Sequence, residues 1–373
     1  MDRRTALKLI AATPLVFAPS MVRAAEYSDA AWRKAIVIDG LGAPSDPDYV
    51  EGRTRYTARG RAELASSGIT AINCTVAEPG NIPNAFELAV GGIAELDRTV
   101  ADNGDLFVKA TRAADILAAK RDGKVALVCG FQDTTPIGPQ LDRITLFKSL
   151  GVRIIQLTYN RRNLCGDGAL EAANAGLSTL GHETIAALEK AAVLLDLSHG
   201  GQRTIAEAIA ASKRPMTISH TGCRDLHDNP RNVRDAELKA MADKGGVAGI
   251  FFMPFLAPSG KPTREDLIRH LDHAVNVCGE DHVSIGTDGG TSAIVIDDKM
   301  RAEQKKFYEQ RAAQGIAAPG EGPDVFNYVG DYNSPLRFRM LADDLTARGW
   351  KAARVEKVLG ANLMRLWGDS WGG

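Results

Sequence analysis

Short runs of apolar and β-branched residues recur along the chain from residue 36, and amphipathic segments separate most of them. Strands buried on both faces that alternate with helices form parallel sheets covered by helices. Eight such runs predict a closed (β/α)8 TIM-type barrel of the α/β class rather than an open doubly wound sheet. The predicted strands are Ile36–Asp39, Ile69–Val76, Val125–Gln132, Val152–Thr158, Val193–Ser198, Pro215–Ser219, Val247–Phe252 and Val283–Thr287.

The open-sheet alternative is weaker because no glycine-rich phosphate-binding motif follows any of these runs. A weaker run, Leu106–Ala110, is a candidate ninth strand. Residues Gly289–Asn333 form a long insertion after the last strand, with a charged helical segment at Lys299–Ala313. At the carboxyl rim of a barrel we expect such an insertion to be a lid or an oligomer contact. We predict one domain over residues 26–373.

Residues 1–25 have the features of a twin-arginine signal peptide. Arg3 and Arg4 precede the apolar stretch Leu9–Ala18, and Val22-Arg23-Ala24 offers a small-residue cleavage signal. The stretch is too short and too rich in alanine for a membrane-spanning helix, although a structural amphipathic helix is an alternative. We therefore expect the folded protein to reach the periplasm through the twin-arginine export machinery, without a membrane anchor.

The charge balance excludes some partners. The 373 residues carry 45 Lys and Arg against 46 Asp and Glu, with no basic cluster, so neither nucleic acid nor an anionic membrane is expected to bind. The cysteines are widely spaced and odd in number, so they cannot all pair. Since several lie inside predicted strands, we predict small buried hydrophobes rather than a metal cluster for Cys74, Cys129, Cys165, Cys223 and Cys278.

Two successive predicted strands, the fifth and the sixth, end in Ser-His at His199 and His220. The carboxyl ends of parallel strands meet at one rim, so both imidazoles should converge there. Asp288 ends the eighth strand, and two glycines follow it. Two imidazoles and a carboxylate are the ligand types of a catalytic zinc site. Asp288 is alternatively a general base, or only the cap of a turn or helix.

Other strand ends at this rim add candidate site residues. Gln132 ends the third strand, Tyr159 the fourth, and a polar loop with Asn163, a candidate substrate contact, follows. Arg231 lies in the loop after the sixth strand, where a guanidinium is suited to bidentate capture of a substrate carboxylate. The remaining histidines of predicted helices or strand starts are expected to be surface or packing residues: His182, His270, His273 and His282.

Several collinear motifs resemble the membrane (renal) dipeptidase family of zinc peptidases. Asp196-Leu-Ser-His199 and Ile218-Ser-His220 match the two histidine ligand motifs. Arg231-Asn-Val233 matches the motif whose arginine holds the dipeptide carboxylate, and Gly286-Thr-Asp288 matches the motif whose aspartate acts at the metal centre. The segment Val358–Arg365 is similar to the C-terminal helix of the family. The resemblance covers roughly residues 30–368 and implies a (β/α)8 barrel, zinc, a dipeptide substrate and, in many members, a homodimer.

The chain departs from the family at the metal site. The His-x-Asp pair of the family's first strand is matched by Leu41 and Ala43, its bridging glutamate by Gln132, and a third strand-end histidine by Tyr159. Two adjacent dications need anionic ligands to offset a repulsion of several kcal/mol even at an effective dielectric constant of ~20. We therefore predict a mononuclear site. Its ligands would be His199 and His220, with the Gln132 oxygen, Asp288 and water as further candidates.

The chain looks like a bacterial subgroup of the family with Asp-Gly-Leu, Gln and Tyr at these positions, as in Asp39-Gly-Leu41, Gln132 and Tyr159. Three functions remain open. The first is a metallohydrolase acting on a dipeptide or small amide, with Asp288 as base and Tyr159 donating to the oxyanion. The second is a non-hydrolytic tailoring enzyme for a peptide-derived metabolite, and the third is a non-catalytic binding protein.

Overall fold

The computed structural model describes residues 26–50 and 52–371. The predicted signal peptide, residues 1–25, lies outside the described residues. Among the described residues, no helix combines the length and the apolar character needed to cross a membrane.

Parallel strands form one sheet around a central core. Along the sheet they follow the order β10-β1-β2-β4-β5-β6-β7-β8-β9. The strand bounds are β1 Ile38–Ala43, β2 Ala71–Thr75, β3 Phe107–Lys109, β4 Val125–Phe131, β5 Val152–Gln156, β6 Leu194–Asp196, β7 Thr217–Thr221, β8 Val247–Ile250, β9 Val283–Ile285 and β10 Gly289–Gly290. Because β9 pairs with β8 and the β10 segment that follows it pairs with β1, the sheet closes on itself. The predicted (β/α)8 barrel is confirmed.

The candidate ninth strand, predicted at Leu106–Ala110, is present as β3 and lies outside the main strand order. Strand β3 pairs with the first residues of β4, Phe107 opposite Val125, while β5 pairs with the later residues of β4 from Cys129 onward. Strand β2 pairs along β4 from Ala126 to Gly130. Strand β2 pairs with one edge of β4, and β3 and β5 pair with successive parts of the other edge. Strand β3 therefore lengthens the sheet beside β4 and does not add a strand to the barrel.

Helices follow most of the strands and cover the outside of the barrel. Their bounds are α1 Asp29–Lys34, α2 Ala58–Ser67, α3 Ala85–Asp102, α4 Ala113–Arg121, α5 Asp142–Ser149, α6 Thr179–Ala191, α7 Gln202–Ala211, α8 Asp235–Asp243, α9 Arg264–Cys278, α10 Asp298–Ala313, α11 Arg337–Ala347, α12 Ala352–Glu356 and α13 Asn362–Trp371. The predicted charged segment of the insertion is confirmed as α10, which has no buried residue. A helix that buries no apolar stripe is held by its polar contacts instead.

The C-terminal helix α13 closes the amino-terminal end of the barrel. Its Leu363, Leu366 and Trp367 are buried in one cluster with residues from the beginnings of six strands. Those strand residues are Ile38, Ala71, Ala126, Ile154, Leu194 and Val247. Since this end is filled with apolar side chains, the opposite rim, formed by the carboxyl ends of the strands, is the one left for chemistry.

The five cysteines and the four histidines His182, His270, His273 and His282 are packing or surface groups, as predicted. All five cysteines are buried and free, and burial raises the pKa of each thiol. His270 is buried, accepts from the backbone N–H of Cys223 and donates to the Leu256 carbonyl. His273 bonds Asp235 at 2.7 Å and His282 bonds a backbone carbonyl, while His182 is exposed.

Asp39 joins the first strand to the end of β9. Its carboxylate accepts from the backbone N–H of Thr287 at 2.7 Å and from the Thr287 hydroxyl at 2.6 Å. Burial raises the pKa of Asp39 to about 7, although the two Thr287 bonds and Arg337 oppose the shift. A folded-state pKa above the unfolded value means that the folded protein binds the extra proton. The contribution of Asp39 to stability is therefore present at low pH and lost as pH rises to about 7.

We expect the substitution Asp39→Asn to remove this pH dependence. Between pH 5 and pH 8 the free energy of unfolding of the parent should fall relative to the variant by roughly 3 kcal/mol. Urea unfolding at the two pH values measures the difference, with Asp243→Asn at an exposed carboxylate as the control. A gap between parent and Asp39→Asn that stays constant with pH would contradict this role.

Candidate active site

The imidazoles of His199 and His220 face each other at the carboxyl rim of the barrel. Their Nε2 atoms are 2.8 Å apart, and both side chains are buried. His199 follows β6 with a φ of 60°, in the left-handed region that non-glycine residues rarely adopt. The two Ser-His strand ends therefore bring their rings together, as the sequence pattern predicts.

Asn160 fixes the proton of the His199 ring. The His199 Nδ1 atom lies 2.6 Å from Asn160 Oδ1. The Asn160 amide can point only one way, because its Nδ2 donates to the backbone carbonyl of Ile316 at 2.7 Å. An amide oxygen only accepts, so Nδ1 of His199 carries the proton and its Nε2 presents a lone pair.

A serine and a buried aspartate fix the proton of the His220 ring. The Ser219 hydroxyl donates to Asp196 at 2.5 Å, so its oxygen is left to accept from His220 Nδ1 at 2.8 Å. Asp196 also accepts from the backbone N–H groups of Ser198 and Ser219 and from the Ser198 hydroxyl. Burial raises the pKa of Asp196, and these four donors oppose the rise. Nε2 of His220 therefore also presents a lone pair.

Two lone pairs that face each other across 2.8 Å repel unless a cation contacts both nitrogen atoms. Burial and the nearby Arg231 guanidinium hold the pKa of both imidazoles well below the usual histidine range, so the rings are neutral. Neutral imidazoles whose other nitrogen is bound by an oriented partner are the usual histidine ligands of a metal ion. The donor set fits one divalent cation.

The same residues do not fit two cations. Leu41 is buried in β1 and Ala43 ends that strand, so neither of these two positions offers a ligand. Gln132 is neutral, and its Nε2 donates to the Thr75 hydroxyl at 2.8 Å, so only its amide oxygen is left to offer to a metal. Within residues 26–50 and 52–371, no group of three or more His, Cys, Asp and Glu side chains is placed to hold a metal.

A cavity of about 400 Å³ opens beside the His199 imidazole. Its lining includes His199, Gln132, Tyr159, Arg231 and Asp288, so the structure brings these candidates together. Arg231 is buried, and its Nη2 has no hydrogen-bond partner in the described part of the chain. Burial lowers the pKa of Arg231 to about 10, which keeps the guanidinium charged at neutral pH. An unpartnered buried guanidinium nitrogen is suited to an anionic ligand.

Asp288 does not cap a helix. The short strand β10, rather than a helix, begins directly after it. Its φ of 56° places it, like His199, in the left-handed region, and burial raises its pKa to about 6. Backbone conformations of this kind cost roughly 1–3 kcal/mol and concentrate at functional sites.

Tyr159 connects the imidazole pair to the insertion. Its ring stacks on the His199 ring with centroids 4.1 Å apart, and its hydroxyl accepts from Arg311 Nη1 at 3.1 Å. Burial raises the pKa of Tyr159, so the phenol keeps its proton, although Arg311 opposes the shift. Because Arg311 donates to the Tyr159 hydroxyl oxygen, the hydroxyl proton of Tyr159 is directed to another acceptor.

Helix α10 of the insertion covers the cavity and forms what we call its roof. Arg311 is held by Glu321 in a bidentate pair at 2.7 and 2.8 Å, and both side chains are largely buried. Phe307, Gln310 and Gln314 of the same region line the cavity. The sequence indicates a lid here but gives no signal that selects Arg311, because its contact with Tyr159 spans 152 residues.

Asn163, the predicted substrate contact, lies outside the cavity that His199 lines. Its Nδ2 donates to the Thr134 hydroxyl and the Leu157 carbonyl, and its Oδ1 accepts from the N–H groups of Cys165 and Gly166. All the hydrogen-bonding positions of the amide are therefore used within its own loop and the adjacent strand end. Asn163 lines a neighbouring cavity rather than the one that His199 lines, and its hydrogen bonds hold its own loop.

Comparison with known proteins places this arrangement in a family. The model of the membrane dipeptidases, peptidase family M19, matches residues 52–302. The chain belongs to this family. A solved amidohydrolase from Pseudomonas aeruginosa is 31% identical, with a TM-score of 0.77 over 92% of this chain and 99% of that one.

Two curated relatives match over shorter stretches. An uncharacterized dipeptidase of Schizosaccharomyces pombe is 33% identical over 50% of this chain and 46% of its own length. The dipeptidase tcpJ of Claviceps purpurea is 29% identical over 73% of this chain and 57% of its own length. The matched stretches thus span about half of each of these relatives.

We expect Arg311→Met to destabilise the roof, because it leaves Glu321 buried without its cation. Removing one partner of a buried ion pair costs about 3–5 kcal/mol. The free energy of unfolding in urea measures the loss. Lys239→Met removes an exposed partner of Asp243 and should cost no more than about 1 kcal/mol. Equal effects of the two substitutions would show that the Arg311–Glu321 pair does not hold the insertion.

Proposed function

We propose that the protein is a metal-dependent hydrolase of dipeptidase type that cleaves a dipeptide or a small amide with a free carboxylate. The observation that supports this most is the pair of Nε2 lone pairs held 2.8 Å apart on neutral, buried imidazoles. We further propose one zinc ion per chain, held by His199 and His220, with the Gln132 oxygen or Asp288 as an additional ligand.

Arg231 supports a substrate with a carboxylate. Its side chain lines the same cavity as His199 and Asp288, its buried Nη2 has no hydrogen-bond partner among the described residues, and the guanidinium stays charged at neutral pH. A substrate carboxylate would supply the missing acceptor and offset the buried charge. A cavity of about 400 Å³ lies within the usual range for small-molecule sites.

The environment of each group indicates the role that it would have in the reaction. Zinc at the imidazole pair would polarise the scissile carbonyl and lower the pKa of the attacking water. Asp288 accepts the proton of that water and passes it to the leaving amine, as a general base and then a general acid. Tyr159 donates its hydroxyl proton to the developing oxyanion, since Arg311 occupies the oxygen of that hydroxyl.

The proposed compartment is the periplasm. Residues 1–25 support it through the twin arginine, the short apolar stretch and the small-residue cleavage signal. Because this route exports folded proteins, we propose that the barrel and its metal site assemble before export.

Zinc content and turnover test the proposal together. We expect about one zinc per chain in the purified protein and hydrolysis of members of a dipeptide panel that stops on chelation. His199→Ala and His220→Ala should lose both the metal and the turnover, because each removes one of the two imidazole ligands. His182→Ala, at an exposed histidine, should keep both.

A folded protein without zinc, with turnover that neither chelators nor the two substitutions change, would contradict the proposal and favour a non-hydrolytic tailoring reaction. A folded protein that binds dipeptides without turning any over would favour a binding protein.

Arg231→Met tests the carboxylate contact. The loss of a hydrogen bond to a charged group costs about 1.5–3 kcal/mol, so kcat/KM for a dipeptide should fall by roughly 10- to 150-fold. The same dipeptide with an amidated C-terminus should be hydrolysed equally poorly by parent and variant.

Arg224→Met is the control for Arg231→Met, because Arg224 lies in the same loop and pairs with the exposed Asp228. A similar loss in kcat/KM for both forms of the substrate in Arg231→Met would show that Arg231 does not bind the carboxylate.

A further inference from the structure

Residues 315–319, which follow α10 in the insertion, form a strap across the rim of the barrel. The Gly315 carbonyl accepts from Arg161 Nε at 2.5 Å, and the Ile316 carbonyl accepts from Asn160 Nδ2 at 2.7 Å. At the other end of the strap, the Pro319 carbonyl accepts from Asn229 Nδ2 at 2.7 Å. The strap is therefore bound by side chains from the loops that follow β5 and β7.

Asn160 is bound by the strap and by the imidazole pair at once. The residue is fully buried, and its two amide atoms have different partners: Nδ2 donates to Ile316, and Oδ1 accepts from His199 Nδ1 at 2.6 Å. A reversed amide would place its oxygen against the Ile316 carbonyl oxygen. The strap thus decides that the oxygen of Asn160 faces His199.

We infer that Asn160 is a positioning residue through which the insertion prepares His199 for its cation. The strap orients the amide, the amide oxygen holds the proton on Nδ1, and the Nε2 lone pair is left facing His220. This inference rests on the proposed function, since it concerns the affinity of the same imidazole pair for zinc. It adds that the insertion is part of the metal centre and not only a cover over the cavity.

The order of residues along the loop supplies a matched control. Three consecutive residues bond the insertion: Tyr159 accepts from Arg311, Asn160 donates to Ile316, and Arg161 donates to Gly315. The Arg161 guanidinium bonds the strap and the Leu170 carbonyl, whereas Tyr159 and Asn160 also contact His199. A change at Arg161 therefore weakens the strap while leaving the contacts to the imidazole in place.

Three variants of the full chain separate the two roles: Asn160→Ala, Asn160→Asp and Arg161→Ala. Asn160→Ala loses the acceptor for His199, and loss of an outer-shell partner typically weakens metal binding about 10- to 100-fold. Asn160→Asp loses the bond to Ile316, but a carboxylate presents an oxygen to His199 in either orientation, so its zinc affinity should stay closer to that of the parent than the affinity of Asn160→Ala. Arg161→Ala should also bind zinc like the parent. Competition with a chromophoric chelator measures the dissociation constant for zinc.

Any of three results would overturn the inference. If Asn160→Ala binds zinc as tightly as the parent, the amide does not prepare the ligand. If Arg161→Ala loses as much affinity as Asn160→Ala, general loosening of the strap accounts for the loss and the Asn160 oxygen has no role of its own. If Asn160→Asp loses as much, an acceptor oxygen at this position does not hold the ligand.

Imidazole ¹⁵N spectra of the metal-free proteins separate this inference from the proposed function. In the parent and in Asn160→Asp, the proton of His199 should reside on Nδ1, and in Asn160→Ala that preference should disappear. The signal is assigned by its loss in His199→Ala. A parent chain that binds no zinc defeats the proposed function, while an unchanged Nδ1 proton in Asn160→Ala defeats the positioning role.

Discussion

The central interaction of this molecule is the approach of two neutral imidazoles through nitrogen atoms that both lack a proton. Asn160 and Ser219 accept hydrogen bonds from the Nδ1–H groups of His199 and His220, and the Nε2 atoms lie 2.8 Å apart. Such an arrangement is unfavourable by itself, because it places two lone pairs together in a buried environment. The surrounding barrel maintains it, and a bound cation would convert the repulsion into coordination.

The barrel supplies the rigidity that this arrangement needs. Helix α13 fills the amino-terminal end, and the Asp39–Thr287 bonds join the first strand to the last near the catalytic rim. His199 and Asp288 both adopt left-handed backbone conformations, which fixed neighbouring strands can hold against their cost. The insertion completes the site from above, where Arg311 binds Tyr159 and the strap binds Asn160.

Much of this organisation could be predicted from the sequence, because it depends on local patterns. Buried strands end at one rim of a parallel barrel, so two Ser-His ends predict that His199 and His220 meet. The residues that complete the site escaped prediction since their contacts are distant in sequence: Asn160 meets Ile316 across 156 residues. For Asn163 the local pattern is not enough, because a polar loop position does not reveal that the amide is already bound by its own loop and by Thr134 and Leu157.

The side chains of Leu41 and Ala43 cannot bind a metal, which is why we propose one metal ion rather than two, and the metal environment is the most direct test of the account. X-ray absorption at the zinc edge of the loaded protein should show two imidazole ligands and no second metal within about 4 Å. A zinc–zinc distance of about 3.5–4 Å, or a zinc environment without imidazole, would contradict it.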